Sequence, residues 1–300
     1  MSDPRRYIII TPVRDEVQHI EKTIHSVAAQ TVLPSQWIIV DDGSTDGTAE
    51  LLDRESARNP WIIVIHRENR GYRAAGGGVI DAFYAGYSRV DGAPWDFVVK
   101  LDGDLSFDPD YFERCFKIFD IESRLGIGGG TICQLENGQT RVDSKGDPPF
   151  HVRGATKIYR RACWNVISPL VRAPGWDTID EVKANLRGWS TRTFAHLTLI
   201  QHKPTGGADG NWRNWFKNGR ANYITGYHPL FMTAKCLKRA WQRSFLVESM
   251  ALFAGYASGY VKRVPQVPDA DAIRYLRQQQ IRRLLGRPSI YACTQRPDVP

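Results

Sequence analysis

The sequence predicts an α/β protein with a mostly parallel central sheet and a helical C-terminal extension. Over the first two thirds of the 300 residues, short apolar runs rich in β-branched side chains alternate with segments of helical periodicity. This alternation is typical of a parallel sheet whose strands are joined by crossover helices. Acidic residues directly follow two of the apolar runs. Ligands of parallel sheets bind at such strand ends.

Four predicted strands alternate with helical segments in the first part of the chain. The strands are Tyr7–Thr11, Trp37–Val40, Trp61–Ile65 and Asp96–Leu101. Four helices are predicted between and after them. The first follows from the apolar spacing of residues 17–28, the second begins at the capping residues 44–46, the third covers about residues 74–87, and the fourth begins at Pro109.

The pattern changes after Gly126. Two glycine clusters and a turn-rich GDPPF segment occupy residues 126–150, which predicts loops around mixed strands. From Asn211 onward the chain is mainly helical. We therefore predict an α/β domain over residues 1–205 and a basic, mainly helical extension over residues 206–300.

The composition favours a folded protein in a reducing compartment. Apolar residues make up 42% of the chain, which is enough for a sizeable core. The five cysteines are scattered and form no CxxC pair, so neither a disulfide framework nor a zinc site is expected. The start of the chain lacks the apolar segment of a signal peptide, and we expect a cytoplasmic protein.

Positive charge is concentrated in the C-terminal third. From Lys203 to Pro300 there are 16 Lys and Arg against 5 Asp and Glu, or +11, whereas the first 202 residues carry −3. This excess of positive charge favours peripheral contact with the inner membrane face or binding of a phosphate-bearing acceptor. The alternative is that the charged residues lie on solvated helix surfaces. The apolar stretch Phe245–Val261 is short for a span and fits either a buried or a membrane-surface helix. A basic-aromatic RNA-binding pattern is absent, so nucleic acid is not an expected partner.

The strongest chemical feature is Asp102-Gly103-Asp104, directly after the fourth predicted strand. Two carboxylates separated by one small residue can reach the same Mg²⁺ or Mn²⁺, which would connect them to a diphosphate. The alternative interpretation is a turn with two solvated acids.

A second feature is the pair Asp41-Asp42 at the end of the second predicted strand. Such acids can accept hydrogen bonds from a base or a ribose. The Ser, Thr and Gly residues that follow up to Thr48 are equally explained as a helix cap.

These segments together resemble the family-2 glycosyltransferases. The segments that carry the resemblance are TPVRDE at residues 11–16, VDDGSTDGT at 40–48, Asn69-Arg70-Gly71 with the Ala- and Gly-rich residues 73–78, and LDGD at 101–104. They occur in the family's order, and the resemblance covers roughly residues 7–200. It implies a GT-A fold and a transfer of sugar from a nucleotide donor with inversion.

The resemblance also implies contacts with the nucleoside, the diphosphate, the metal ion and the sugar. The residues are Thr11, Arg14, Glu16 and Asp42 for the nucleoside, Arg73 near the base or phosphates, Asp102 and Asp104 for ribose, metal and diphosphate, His202 as a further metal ligand, and Gly154 beneath a sugar. For His202 the alternative is no ligand role. Arg14-Asp15 stands where the family usually has Asn, which leaves the identity of the base open.

The segment Gly175–Glu181 is similar to the family's T-E-D segment, whose aspartate is the general base. The resemblance implies that Asp180 deprotonates the acceptor hydroxyl, although Ile179 replaces the usual Glu. Asp177 and Glu181 are rivals for this role. A helix start with its favoured acids is the other interpretation.

The expected function is therefore that of a metal-dependent inverting glycosyltransferase. The donor would be a nucleotide sugar, with UDP favoured, and the acceptor a saccharide or a lipid-linked sugar in cell-surface polysaccharide or glycolipid synthesis. A sugar-nucleotide binding protein without catalysis and a sugar nucleotidyltransferase are the alternatives. A dinucleotide-binding dehydrogenase is disfavoured, because no G-x-G-x-x-G follows the first strand.

Overall fold

The structure is a computed structural model that describes residues 5–71, 76–90, 92, 94–136, 138–143, 146–203, 210–241 and 246–292. The strands are β1 Tyr7–Val13, β2 Gln36–Asp41, β3 Ile62–His66, β4 Phe97–Leu101, β5 Leu105–Phe107, β6 Leu125–Glu136, β7 Gln139–Val142, β8 Thr156–Arg160 and β9 Ser190–Gln201. The helices are α1 Ile20–Ala28, α2 Thr48–Arg58, α3 Gly77–Tyr87, α4 Tyr111–Ile121, α5 Arg161–Ile167, α6 Trp176–Leu186, α7 Asn211–Ile224, α8 Pro229–Trp241, α9 Leu246–Val261 and α10 Ala270–Leu284. A short 3-10 helix follows at Ile290–Ala292.

The strands form one mixed sheet in the order β3-β2-β1-β4-β8-β6-β9-β5, with β7 paired to β6. The first four in this order are mutually parallel, as the sequence predicts. Beyond them, β8 runs antiparallel to β4 and β6, and β9 is parallel to β6 and antiparallel to β5. The carboxyl ends of β1, β2 and β4 therefore meet at one edge of the sheet.

Helices cover both faces of the sheet, and β1 shows how the sequence sorts its side chains between them. Tyr7 and Ile9 belong to a buried cluster with residues of α1 and α4, whereas Ile8 and Ile10 belong to one with residues of α3 and α5. Side chains alternate between the faces of a strand, so a strand buried on both faces reads as the continuous apolar run seen in the sequence.

The sequence predicts mixed strands among loops over residues 126–150 without placing them, and in the structure residues 125–136 form the long strand β6. Its glycines are required by close neighbours rather than by turns. A Cβ at Gly129 would lie 2.3 Å from the carbonyl oxygen of Thr156, and one at Gly130 would lie 2.3 Å from that of Leu197. The sequence analysis also left β9, the partner of β6, unassigned.

The helices after the sheet pack on one another and on α6. A buried cluster joins Ile179 and Val182 of α6 to residues of α7, α8, α9 and α10. Helices α7 and α9 approach closely, since a Cβ at Gly255 would lie 2.0 Å from the carbonyl oxygen of Phe216. Among the described residues, no helix is long and apolar enough to cross a membrane. The cytoplasmic location and the boundary at residues 205 and 206 stay predictions.

The close approach in β6 gives a test of the fold. We expect Gly130→Ala to lower the free energy of unfolding by about 1–3 kcal/mol, because the added methyl group collides with the backbone of β9. Gly92→Ala is the control, since a Cβ there would have no neighbour within 4 Å among the described residues beyond those adjacent in the chain. Thermal and urea denaturation measure both, and equal effects of the two substitutions would contradict the close pairing of β6 with β9.

Candidate active site

The residues that the resemblance assigns to the nucleoside lie where β1, β2 and the loop after β3 meet. Asp42 accepts hydrogen bonds from Arg67 at 2.7 Å and from Arg70. Arg14 follows β1 and donates to the side chain of Asn69 at 2.8 Å. The structure thus brings the predicted Arg14 and Asp42 to one corner of the sheet edge. The predicted Arg73 lies outside the described residues.

Two other residues of this corner support the backbone. The hydroxyl of Thr11 is buried and accepts a hydrogen bond from the Trp37 indole at 2.9 Å, so the Thr11 side chain ties β1 to β2. Asp41 is also buried, and it accepts hydrogen bonds from the Ser44 amide at 2.9 Å and interacts with His66 at 3.0 Å. Of the two acidic side chains, that of Asp42 pairs with the guanidinium groups of Arg67 and Arg70.

Three carboxylates form the centre of the site. Asp104 is almost fully buried, and one of its oxygens accepts a hydrogen bond from Gln201 at 3.1 Å. Burial and the neighbouring charges of Asp102 and Glu16 raise the pKa of Asp104 to about 7. Burial also raises the pKa of Glu16, against the opposing effect of Lys203, whose Nζ lies 2.6 Å from Glu16 Oε1. We call Glu16, Asp102 and Asp104 the acidic cluster.

The chemistry of the acidic cluster fits a hard divalent cation. Asp104 Oδ1 and Glu16 Oε2 are buried, and neither has a hydrogen-bond partner among the described residues. Carboxylate oxygens in this state suit Mg²⁺ or Mn²⁺, which typically binds one or two carboxylates together with substrate phosphates and water. No group of three or more Asp, Glu, His or Cys side chains in the described part of the chain is arranged to hold a metal by itself.

His202 lies beside the acidic cluster. Its amide donates to the Asp104 carbonyl at 2.9 Å, but its ring nitrogens lie 2.9 Å from Ser106 Oγ and 3.5 Å from Lys22 Nζ. Burial, followed by the charges of Lys22 and His19, lowers the pKa of His202, which favours the neutral form of the ring. Its role as a metal ligand stays a prediction, and it would need the ring to exchange its present contacts.

A buried lysine that the sequence analysis missed connects the acidic cluster to Gly154. Lys100 belongs to β4 and lies two residues before Asp102, and its Nζ donates to Asp102 and, at 2.6 Å, to the Gly154 carbonyl. Its side chain also lies over the ring of Trp176, 5.6 Å from the centroid. A lysine inside an otherwise apolar strand was the available signal, because a buried ammonium needs a carboxylate partner.

Asp177 stands on the other side of Gly154, at the first turn of α6. A Cβ at Gly154 would lie 3.3 Å from Asp177 Oδ2 and 3.0 Å from the Trp176 ring. Asp177 is half-buried, and α6 begins just before it. The predicted Gly154 is therefore packed between the acidic cluster and a partly exposed carboxylate.

Asp180 lies one turn further along α6 and is fully enclosed. Its carboxylate oxygens lie 2.8 and 3.0 Å from Lys157 Nζ, and one accepts a hydrogen bond from the Tyr159 hydroxyl at 2.6 Å. Lys157 also pairs with Glu181, which in turn contacts His151 at 2.9 Å. Burial raises the pKa of Asp180 while Lys157 opposes that shift. The structure brings Asp177, and not Asp180 or Glu181, to the Gly154 side.

Comparison with known proteins identifies the family. Residues 8–168 match the model of glycosyl transferase family 2, and the chain belongs to this family. A curated relative, the undecaprenyl-phosphate mannosyltransferase of Micrococcus luteus, is 30% identical over 109 residues, which cover 36% of this chain and 42% of that protein. The chain spans between about a tenth and about two fifths of the length of such curated relatives.

Solved structures confirm the GT-A fold that the resemblance implies. The mannosyltransferase PcManGT from Pyrobaculum calidifontis, in complex with GDP-Man and Mn²⁺, is 16% identical with a TM-score of 0.56, covering 94% of this chain and 81% of that one. S. aureus TarS 1–349 in complex with UDP-GlcNAc is 16% identical with a TM-score of 0.51, covering 94% and 92%. At 16% identity, the similarity to these structures shows a shared fold and nothing further.

Repulsion within the acidic cluster predicts that neutralising it stabilises the metal-free protein. With EDTA present, we expect Asp104→Asn to raise the free energy of unfolding at pH 8 by about 2 kcal/mol. Because the pKa of Asp104 is raised from 3.8 to about 7, the ionised carboxyl costs stability. The gain should therefore grow as the pH rises from about 4 to about 7 and then level off.

Urea denaturation between pH 4 and pH 8 checks this prediction. Asp108→Asn is the matched control, because Asp108 is an exposed aspartate close by in the chain. If Asp104→Asn instead lowers the free energy of unfolding of the metal-free protein at pH 8, the charge of Asp104 is already compensated by its protein neighbours. The acidic cluster would then need no cation.

Proposed function

We propose that this chain transfers a sugar, with inversion, from a nucleoside-diphosphate sugar to an acceptor hydroxyl, and that the transfer depends on Mg²⁺ or Mn²⁺. The observation that carries the proposal is the desolvated acidic cluster at the carboxyl ends of β1 and β4. Membership of the family supplies the reaction class. The proposal adds the metal, the residues and their roles.

The proposed metal site consists of Asp104 and Asp102, completed by the diphosphate of the donor. Asp104 Oδ1 is the oxygen without a partner among the described residues, and Asp102 is shared with Lys100. When bound, the metal neutralises the charge that develops on the leaving diphosphate. A solved neighbour of the same fold contains Mn²⁺ together with GDP-Man, which supports the cofactor.

Two lysines are placed to assist the same leaving group. Lys203 Nζ lies 2.6 Å from Glu16 Oε1, and Lys100 Nζ binds Asp102. Both ammonium groups thus stand among the carboxylates that would meet the diphosphate. Preorganised cations of this kind stabilise charge that forms in the transition state, because they need no rearrangement when the bond breaks.

The proposed nucleoside site is the corner with Arg14 and Asp42. The two carboxylate oxygens of Asp42 pair with Arg67 and Arg70. A base or ribose would compete with one of these arginines for Asp42. We favour a UDP-sugar as the donor, as in the TarS complex, and GDP-Man is the alternative that the PcManGT complex supports.

For the general base we propose Asp177 ahead of the sequence-predicted Asp180. A base must be within hydrogen-bond reach of the acceptor hydroxyl, and Asp177 is half-buried beside Gly154. Asp180 accepts bonds on both oxygens from Lys157 and Tyr159, and its exposed fraction is 2%. One carboxylate acting as base suits a single in-line displacement, which inverts the anomeric carbon. Proton NMR of the product anomer tests that outcome.

The acceptor is proposed to be a saccharide or a lipid-linked sugar. The Micrococcus luteus relative is named for transfer to undecaprenyl phosphate, which supports a lipid-linked acceptor. A binding protein without catalysis remains the alternative, and it predicts donor binding without any turnover. Assay of donor hydrolysis and transfer with UDP- and GDP-sugars separates the two.

Metal dependence gives the first test of the mechanism. We expect EDTA to abolish transfer and Mn²⁺ to restore it, and we expect Asp104→Asn to lower the turnover number by about 10²-fold or more. The same variant should lose the Mn²⁺-dependent thermal stabilisation by the donor, whereas Asp108→Asn keeps it. Full turnover in EDTA would exclude this role for the acidic cluster.

The choice of base gives the second test. Asp177→Asn should lower the turnover number by about 10²–10⁴-fold with little change in donor binding, because only proton removal is lost. Asp180→Asn should instead lower the melting temperature, since it breaks a buried ion pair with Lys157, while turnover at low temperature changes less than tenfold. The reverse pattern would restore Asp180 as the base.

A further inference from the structure

Helix α9 exposes an apolar face that no described part of the chain covers. Its exposed large side chains are Leu246, Val247, Met250, Phe253, Tyr260 and Val261, which we call the α9 ridge. At 100° per residue these positions fall within one sector of the helix, together with the half-buried Ala254 and Ala257. A solvent-facing helix surface of this kind is normally charged or polar.

The inner face of α9 packs against the rest of the protein. Leu252, Gly255, Tyr256 and Gly259 are buried against α7 and its neighbours. The single charged residue of the helix, Glu248, is on this inner side, where its carboxylate accepts hydrogen bonds from Arg239 at 2.7 Å and from Asn211 at 3.0 Å. The α9 ridge therefore has no charged side chain along four helical turns.

Helix α8 adds a second apolar stripe. Leu230, Leu237 and Trp241 are exposed, and their spacings of seven and four residues place them on one line along the helix. Trp241 is 91% exposed and stands five positions before Leu246, the first residue of the ridge. An exposed Trp at the end of an apolar helix stripe is typical of side chains that lie at a membrane interface.

The charges around the ridge decide which partner it fits. Residues 229–263 contain six Lys and Arg against the one Glu248 that Arg239 neutralises. Lys238 is exposed on α8, and Lys262 and Arg263 are exposed where α9 ends. Two copies of the chain facing each other here would bring like charges together. An anionic surface would instead compensate them.

We propose that the α9 ridge and the α8 stripe form a peripheral docking surface for an anionic lipid bilayer. The apolar side chains enter the boundary between headgroups and acyl chains, while the lysines and arginines remain at the level of the lipid phosphates. This inference stands on exposed residues away from the acidic cluster. It is therefore independent of the proposed transfer reaction.

Vesicle flotation tests the proposal without any sugar nucleotide. Vesicles of phosphatidylcholine with 30% phosphatidylglycerol should bind the full chain at 0.1 M NaCl and release most of it at 0.5 M. Pure phosphatidylcholine should retain much less. Lys238→Gln with Lys262→Gln should weaken binding by about 20- to 30-fold at low salt.

A charge-matched pair of double variants tests the ridge itself. Met250→Glu with Phe253→Glu should lower vesicle binding by about tenfold or more, because two ridge side chains become anionic. Leu33→Glu with Ile121→Glu adds the same charge at side chains that are equally exposed but lie elsewhere, and it should retain most of the binding. Circular dichroism and melting temperature establish that both variants are folded.

Four outcomes would overturn the proposal. One is an absence of binding to the anionic vesicles, and another is an equal loss in the two charge-matched variants. The third is a dimer in analytical ultracentrifugation that Met250→Glu with Phe253→Glu converts to a monomer, because the ridge would then be an interface between protein copies. Binding that is equal with and without phosphatidylglycerol would likewise contradict an anionic partner.

Discussion

Electrostatic repulsion among the carboxylates of Glu16, Asp102 and Asp104 is the interaction on which the candidate active site depends. Three carboxylates share a poorly solvated space, where burial raises the pKa values of Glu16 and Asp104. Lys203 and Lys100 compensate part of this charge, yet two buried carboxylate oxygens keep no hydrogen-bond partner among the described residues. The arrangement that costs stability in the protein alone is the one to which we assign the proposed divalent cation and donor diphosphate.

The fold supplies this arrangement through close packing at the sheet edge. A Cβ at Gly103 would lie 2.6 Å from Val13 and 3.0 Å from Ile20, so only glycine allows the turn after β4 to pack on β1 and α1. Parallel pairing of β4 with β1 then places the acids of both strands on the same side. The antiparallel strand β8 brings Gly154 next to Lys100, and α6 places Asp177 beyond it.

Sequence reasoning reached the parts of this structure that depend on local pattern. Apolar runs identified the first four strands, and the acids after two of these runs identified the sheet edge, since both signals lie within a few residues. Strand β6 could not be placed from the sequence, because its glycines are required by close packing against Leu197 and Thr156, which are distant in the chain. The sequence also could not distinguish Asp177 from Asp180 as the general base, because Asp180 is enclosed by a lysine of β8, which is distant in the chain.

The most direct measurement is the position of manganese in crystals grown with a UDP-sugar. Anomalous diffraction at the manganese edge locates the ion independently of the protein atoms. We predict a single peak about 2.0–2.3 Å from Asp104 Oδ1, in contact with the donor diphosphate. A donor bound with no manganese near Asp104, or manganese bound elsewhere while Asp104 contacts only Gln201, would contradict it.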